Sequence, residues 1–353
     1  MTAAGDERLD VLHVSEAYGG GVQSAINRYI ENSQDCRHAV FVRSRDAHDV
    51  GQLPDVEVVR VQGSMPTFVR AARRAIRDRR PRVVHLHSSF AGVLRIFDFP
   101  DVKVVYTPHS YAFLREDIHP VMRAGYLGAE YLLSRRRRQV IAAISPHEVA
   151  SAVRLTAGRA GVHYLPNVAA DAETRREPTV REEAGRTTVV TVGRISAQKD
   201  PAFLARVVEH AADPSIEWTW IGDGDAGLKR RLVDAGVTVT GWLPNTDVME
   251  RMSQADLYFH PASWEGAPMT LLEAAALGTP VLVREIDTLR GLGFASAGAT
   301  TVDVAATVTR FSRDHGFRDE VRRRAVESVA VHSADVQRRA LEYLYDGRTE
   351  VAA

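Results

Sequence analysis

Short runs of β-branched and other apolar residues alternate with longer amphipathic segments along almost the whole chain, and nothing else in the sequence constrains the fold as much. Strand-length runs lie at 9–14, 38–43, 56–61, 83–87, 102–106 and 140–144, then at 187–192, 217–221, 237–240, 256–259 and 281–283. Helical stretches, such as 67–79 and 202–210, separate most of them. Parallel strands need a crossover between them, and the crossover helix covers the sheet face. Strand and helix in strict succession therefore predict α/β architecture with parallel sheets.

The alternation breaks once. Residues 169–186, AADAETRREPTVREEAGR, are polar and nearly devoid of large apolar side chains, as a linker is. A chain of 353 residues exceeds what one core accommodates, so the break separates two domains, 1–168 and 187–330. A terminal piece, 331–353, contains the amphipathic segment SADVQRRALEYLYDG. Lys+Arg 45 balances Asp+Glu 45, so no net field draws the chain to nucleic acid. The single cysteine, Cys36, rules out an internal disulfide and a multi-cysteine metal site. The opening MTAAGDERLD is acidic and unlike a secretory signal, and no apolar run reaches the roughly 18–20 residues of a membrane span. A cytoplasmic location is the expectation.

Chemistry concentrates in loops that follow strands, the edge at which open α/β sheets hold ligands. Glu265 and Glu273 stand eight residues apart in SWEGAPMTLLEAAALG, the first in a loop and the second inside a helix that Pro268 can open and Gly278 can close. Alone, such a pair reads as two solvated acids; together with a ligand it could grip a sugar hydroxyl and a ribose. After 187–192 comes GRISAQKDP, where Gly193 permits close approach and Arg194 and Lys199 suit a diphosphate beside the helix that Pro201 begins. Only Lys103, Lys199 and Lys229 are lysines, which makes Lys199 harder to dismiss than one more arginine. Asp223 and Asp225 flank a glycine in GDGD and read as a tight turn in preference to a divalent-cation site.

In the first half, Gly19, Gly20 and Gly21 form a strand-to-helix turn that departs from the G-x-G-x-x-G dinucleotide fingerprint. His109 follows a strand in TPHS, whereas period-two alternation already accounts for His85 and His87. LLSRRRR ends a helical stretch at Arg138; solvation explains it, and peripheral contact with an anionic membrane is the second reading.

Taken in order, the Gly19–Gly21 turn, His87 in HLHSS, TPHS, AISPHE, LPN, VGRISAQKDP, the GDG turn, TGWLP and the Glu265…Glu273 pair resemble family 4 of the retaining glycosyltransferases. The resemblance implies the GT-B fold, two Rossmann-like parallel-sheet domains facing a central cleft, with the terminal helix crossing back to the first. It implies a nucleotide-sugar donor, a sugar, lipid-linked sugar or other alcohol as acceptor, and no cofactor or metal ion. Arg194 and Lys199 would bind the diphosphate, Glu273 the ribose, and Glu265 the transferred sugar's hydroxyls. His109 would approach the sugar's reactive face. The backbone at Trp242 and Leu243 would contact the base, and Gly19–Gly21, Gly193, Gly266 and Ala267 would line the donor. Val168 replaces the glycine that usually follows LPN, and EIDTLRGLGFASAGATT replaces the usual glycine-containing donor loop, so sugar and base stay open. A GT-B epimerase and an inactive nucleotide-sugar-binding partner are the alternatives.

Overall fold

The computed structural model describes residues 9–44, 54–169 and 186–346. Among them the chain divides into two compact units: 9–114, 118–168 and 334–346 in the first, and 115–117 with 169–333 in the second. The expected linker at 169–186 lies, apart from its end residues, outside the described residues.

The first unit runs β1 (Val11–Ser15), α1 (Gly20–Glu31), β2 (His38–Arg43), β3 (Glu57–Val61), α2 (Met65–Arg79), β4 (Val83–His87), α3 (Ser88–Ala91), β5 (Lys103–Thr107), α4 (Pro120–Ser134), β6 (Gln139–Ala143), α5 (Pro146–Thr156) and β7 (Gly161–Tyr164). Its seven strands are all parallel in the order β3-β2-β1-β4-β5-β6-β7, so the winding reverses between β1 and β4. Every residue of those two strands is buried, as strands covered on both faces must be. Helix α2 shows how the sequence pattern turns into packing. Ser64 caps it by accepting the Thr67 N–H, and Phe68, Ala72 and Ile76, four residues apart, make one buried stripe against the sheet.

The second unit runs β8 (Thr187–Val192), α6 (Pro201–Ala211), β9 (Ile216–Ile221), α7 (Ala226–Asp234), β10 (Thr238–Val239), α8 (Asn245–Gln254), β11 (Leu257–His260), α9 (Met269–Ala276), β12 (Val281–Arg284), β13 (Ala295–Gly298), α10 (Thr301–Arg313) and α11 (His315–Ala330). Its six parallel strands take the order β10-β9-β8-β11-β12-β13, with the reversal between β8 and β11. The last helix, α12 (Ala334–Asp346), belongs to the first unit. Leu341, Leu344 and Tyr345 share a core there with Val11, Tyr29 and Val83. Gln337 fixes the helix by accepting from Asn32 at 2.7 Å and donating to the Pro166 carbonyl at 2.7 Å.

Both sheets match the α/β expectation, with two strands more than the periodicity predicted. β7 is a half-exposed edge strand of four residues, and β13 is Ala-Ser-Ala-Gly, whose small side chains carry almost no strand signal. Among the described residues, no helix is long and apolar enough to cross a membrane.

Candidate active site

In the second unit the site grows from the loops that follow β8 and β11, the two strands at the reversal. The β8 loop is built by close backbone approach. A Cβ at Gly193 would lie 3.2 Å from Lys199 Cε, so a larger residue would displace the lysine stem. The neighbouring β9 loop locks it: Trp220 Nε1 donates to the Gly193 carbonyl at 2.8 Å, and a Cβ on Gly222 would meet that same oxygen at 2.2 Å. Gly222 has φ +139, where only glycine is unstrained.

The β11 loop brings Glu265 onto Lys199. The Lys199 ammonium donates to Glu265 Oε1, Gln198 donates to Oε2 at 3.2 Å, and His260 Nε2 stands 3.3 Å from Oε1. Glu265 is buried, and burial alone would raise its pKa; the Lys199 charge and the His260 hydrogen bond outweigh that and hold it at about 2. His260 is pushed below its ordinary value by burial and by Lys199, so it stays a neutral partner. The backbone N–H of Glu265 donates to Thr288 Oγ1 at 3.2 Å, tying the loop to the segment after β12. The arrangement is therefore an ionised, preorientated carboxylate beside a cation at the carboxyl edge of the sheet.

Two sequence expectations change here. The N-terminus of α6 is not open to an anion, because Asp200 accepts the Phe203 N–H at 3.0 Å and takes Arg284 at 2.8 Å and Ser263 at 3.0 Å. Helix α9 begins at Met269, so Pro268 is its N-cap, one residue outside the first turn, and no side chain caps it. Its first amides, next to Glu265, Gly266 and Ala267, make the better-placed helix terminus. Glu273 lies half-buried in α9, Gly266 and Ala267 are buried, Arg194 is exposed past β8, and Trp242 is 64% exposed after β10 with Leu243 beside it half-buried. Gly278, at φ +80, ends α9 as expected. Asp223 pairs with Lys229 at 3.1 Å and Asp225 caps α7, which gives both acids of the GDGD turn a structural task.

In the first unit, Gly19 is the N-cap of α1 without a side-chain cap, and Gly20 takes φ +54. His109 and Ser110 after β5 are both left-handed, at φ 50 and 76. Glu148 at the start of α5 holds that turn, accepting the Ser110 N–H at 2.6 Å and the Ile144 N–H at 3.0 Å. The hydroxyls of Ser88 and Ser110 at this edge are buried without a hydrogen-bond partner. Periodicity treated His85 and His87 as structural, and did not single out His13 or His38. All four are buried and lie on one face, with His109 hydrogen-bonded to His87 at 3.0 Å. Nitrogens of His13, His85 and His87 lie within 4.8 Å of one another, the spacing of a metal-ligand group, yet each is already engaged in a hydrogen bond. Of the four arginines ending the α4 segment, Arg135 stacks on Tyr131 and Arg136 pairs with Asp98, which leaves Arg137 and Arg138 exposed.

Two doubly wound parallel sheets with these loops at their carboxyl edges have the architecture of the GT-B class, and the glycosyl transferase families are where this chain finds its match. The glycosyl transferase 4-like domain matches residues 20–168 and the group 1 glycosyl transferases match residues 186–309, so the chain belongs to this family. It is 25% identical to an uncharacterized 41.2 kDa protein in the cps region of Klebsiella pneumoniae over 298 residues, 80% of this chain and 82% of that one. It is 24% identical over 234 residues to the UDP-Gal:alpha-D-GlcNAc-diphosphoundecaprenol alpha-1,3-galactosyltransferase of Escherichia coli, 58% of each chain. Sucrose-phosphate synthase from Thermosynechococcus elongatus shares the fold with a TM-score of 0.77 at 17% identity, covering 96% of this chain and 98% of that one.

Proposed function

We propose that this glycosyltransferase moves a hexosyl group, with retention of configuration, from a nucleotide-diphosphate sugar to an alcohol of a sugar or lipid-linked sugar in cell-envelope polysaccharide or glycolipid assembly. The Lys199–Glu265 pair at the edge of the second sheet carries this reading. An acid held ionised can accept sugar hydroxyls, and the neighbouring ammonium can take the charge that develops on a departing diphosphate. Arg194 adds a forked cation, Glu273 takes the ribose, and Trp242 and Leu243 lie toward the base. No step of this scheme calls on a metal ion. His109 is assigned to the sugar's reactive face, as the family resemblance implies. Retention then proceeds by attack on the face that the phosphate leaves, with a phosphate oxygen taking the acceptor's proton; a covalent sugar trapped on a side chain would overturn this. The Escherichia coli relative, whose name states a UDP-sugar donor and a diphosphoundecaprenol-linked acceptor, supports the donor and acceptor classes.

Thermal-shift measurements with UDP, GDP and ADP sugars test the proposal. The matching donor at a hundredfold excess over its Kd adds about 2.7 kcal/mol and raises Tm. Silence from every nucleotide sugar sinks it.

We place the reaction at the cytoplasmic face of a membrane. Helix α4 leaves Val121 71% exposed at its start and Leu132 70% exposed near its end, where the chain runs on to Arg137 and Arg138. The protein is expected to sediment with phosphatidylglycerol vesicles and not with phosphatidylcholine alone. At about 1 kcal/mol per basic residue near an anionic surface, Arg137→Glu with Arg138→Glu should release it. Equal sedimentation of both proteins would remove the membrane from the account.

A further inference from the structure

Four imidazoles form one hydrogen-bonded row through the first unit, and the direction of that row is fixed at one end. His38 Nε2 lies 3.0 Å from the Ser33 carbonyl oxygen, which can only accept, so the proton sits on Nε2. A neutral imidazole has one N–H; His38 Nδ1 is therefore a lone pair, and it accepts from His13 Nε2 at 3.1 Å. The rule passes along. His13 Nδ1 accepts from His87 Nε2 at 3.0 Å, and His87 Nδ1 accepts from His109 Nε2 at 3.0 Å. His109 Nδ1 ends the row as a lone pair with no partner among the described residues, on a side chain partly exposed beyond β5.

A single direction along the row requires neutral rings, and the surroundings supply them. His13, His38 and His87 are buried, and burial holds each below its ordinary pKa, in His13 and His87 helped by the neighbouring rings. Burial pushes His109 down to about 3. A cation anywhere in the row would put a proton on His109 Nδ1, directly or by reversing the rings between the two, so the Nε2–H form of His109 needs the whole row neutral. Among the described residues, Ser33 Oγ, 3.1 Å from His38 Nε2, is the one group at the anchored end able to donate, and it is already directed at the Tyr29 carbonyl. His85 stands beside the row, its two nitrogens satisfied by the hydroxyls of Tyr345 at 2.9 Å and Thr107 at 2.8 Å.

We infer that His38, His13 and His87 are positioning residues that hold His109 in the Nε2–H form, so that it offers an acceptor, never a donor, to a hydroxyl of bound substrate. This rests on the reading of His109 as a group that meets the sugar. It also selects substrates: a sugar or alcohol whose group at this point is a hydroxyl can donate to Nδ1, while a deoxy analogue or an ether oxygen cannot.

The test is long-range proton–nitrogen NMR on the full chain labelled with 15N-histidine near neutral pH, with His109 assigned through His109→Gln. The expected wild-type spectrum shows a bare, pyridine-type Nδ1 and a protonated Nε2 at His109. His38→Leu removes the anchored end, so the His109 signals should move to a tautomer average and kcat/KM should fall roughly tenfold, as for one lost substrate hydrogen bond, with the donor KM little changed. His38→Gln, whose amide can both donate and accept, should recover part of both. A proton on Nδ1 of wild-type His109, an unchanged His109 spectrum in His38→Leu, or added zinc binding to His13, His85 and His87 overturns the inference. The wild-type spectrum decides even if a variant fails to fold. Absence of transfer from every donor would instead refute the functional reading, and leaves the tautomer of His109 as the spectrum shows it.

Discussion

Lys199→Ala is expected to lower donor turnover by about 10²–10³-fold, the usual loss when one preorganised group facing transition-state charge is removed. It should also destabilise the fold, by the lower end of the roughly 3–5 kcal/mol that breaking a buried ion pair costs, since Gln198 and His260 remain on Glu265. Glu265 is buried and Lys199 half-buried, with side chains 7% and 17% exposed, which is why the lower end applies. The two effects separate in a neutral pair: Lys199→Met with Glu265→Gln should regain most of the stability and none of the turnover. Recovery of turnover in that double variant would show that the pair is structural.

Lys199→Ala should also weaken a pH dependence. Glu265 titrates at about 2 in the fold against an ordinary 4.5, so its pair contributes stability that is complete above the ordinary value and is lost as pH falls toward 2. Without Lys199, burial is opposed by the remaining His260 contacts, so the Glu265 pKa rises from about 2 and the loss of stability in acid shrinks. Tm measured against pH should fall less steeply on the acid side in the variant than in the native protein; equal slopes would show the charge assignment to be wrong.

The architecture was legible because each strand and helix announces itself within a dozen residues. What the sequence could not show is what meets across such separations. GRISAQKDP and SWEGAP supply a cation and an acid 66 residues apart, but their direct contact follows from β8 lying next to β11. His260 and Thr288 gave no signal of their own, one being an ordinary strand residue and the other part of a segment read only as an atypical loop. The histidine row was hidden for the same reason. Alternation explains why His85 and His87 share a face; only the order β2-β1-β4 sets His38, His13 and His87 side by side. Asp200 shows the opposite failure, because a local pattern suggested an anion site that the aspartate's own side chain closes. Composition misled in one more place, since four consecutive arginines read as a block while the fold employs two of them in packing and pairing.

Glu148→Ala should have the second large effect, although the site was reached by sequence only as part of the AISPHE string. His109 and Ser110 hold consecutive left-handed conformations that cost on the order of 1 kcal/mol or more each in residues with a Cβ. Glu148 maintains them by taking the Ser110 N–H at 2.6 Å while its other oxygen takes the Ile144 N–H at 3.0 Å. Truncation leaves two backbone donors without their acceptor, at about 1–3 kcal/mol apiece, and frees the turn that presents His109. Tm should drop sharply and kcat/KM should fall, while the donor affinity read at Lys199 in the other unit stays near that of the native protein. Glu148→Gln keeps one acceptor oxygen and should recover part of the loss. The glutamine variant also tests the charge. Burial, opposed by the two N–H donors, pushes the Glu148 carboxyl up to about 7. A raised acid pKa means the fold favours the protonated form, so the native protein gains stability as pH falls from about 7 to the ordinary 4.5. That slope should be missing from Glu148→Gln. Were it to persist there, the titrating group would be another residue, and the hold on His109 would not depend on the charge of Glu148.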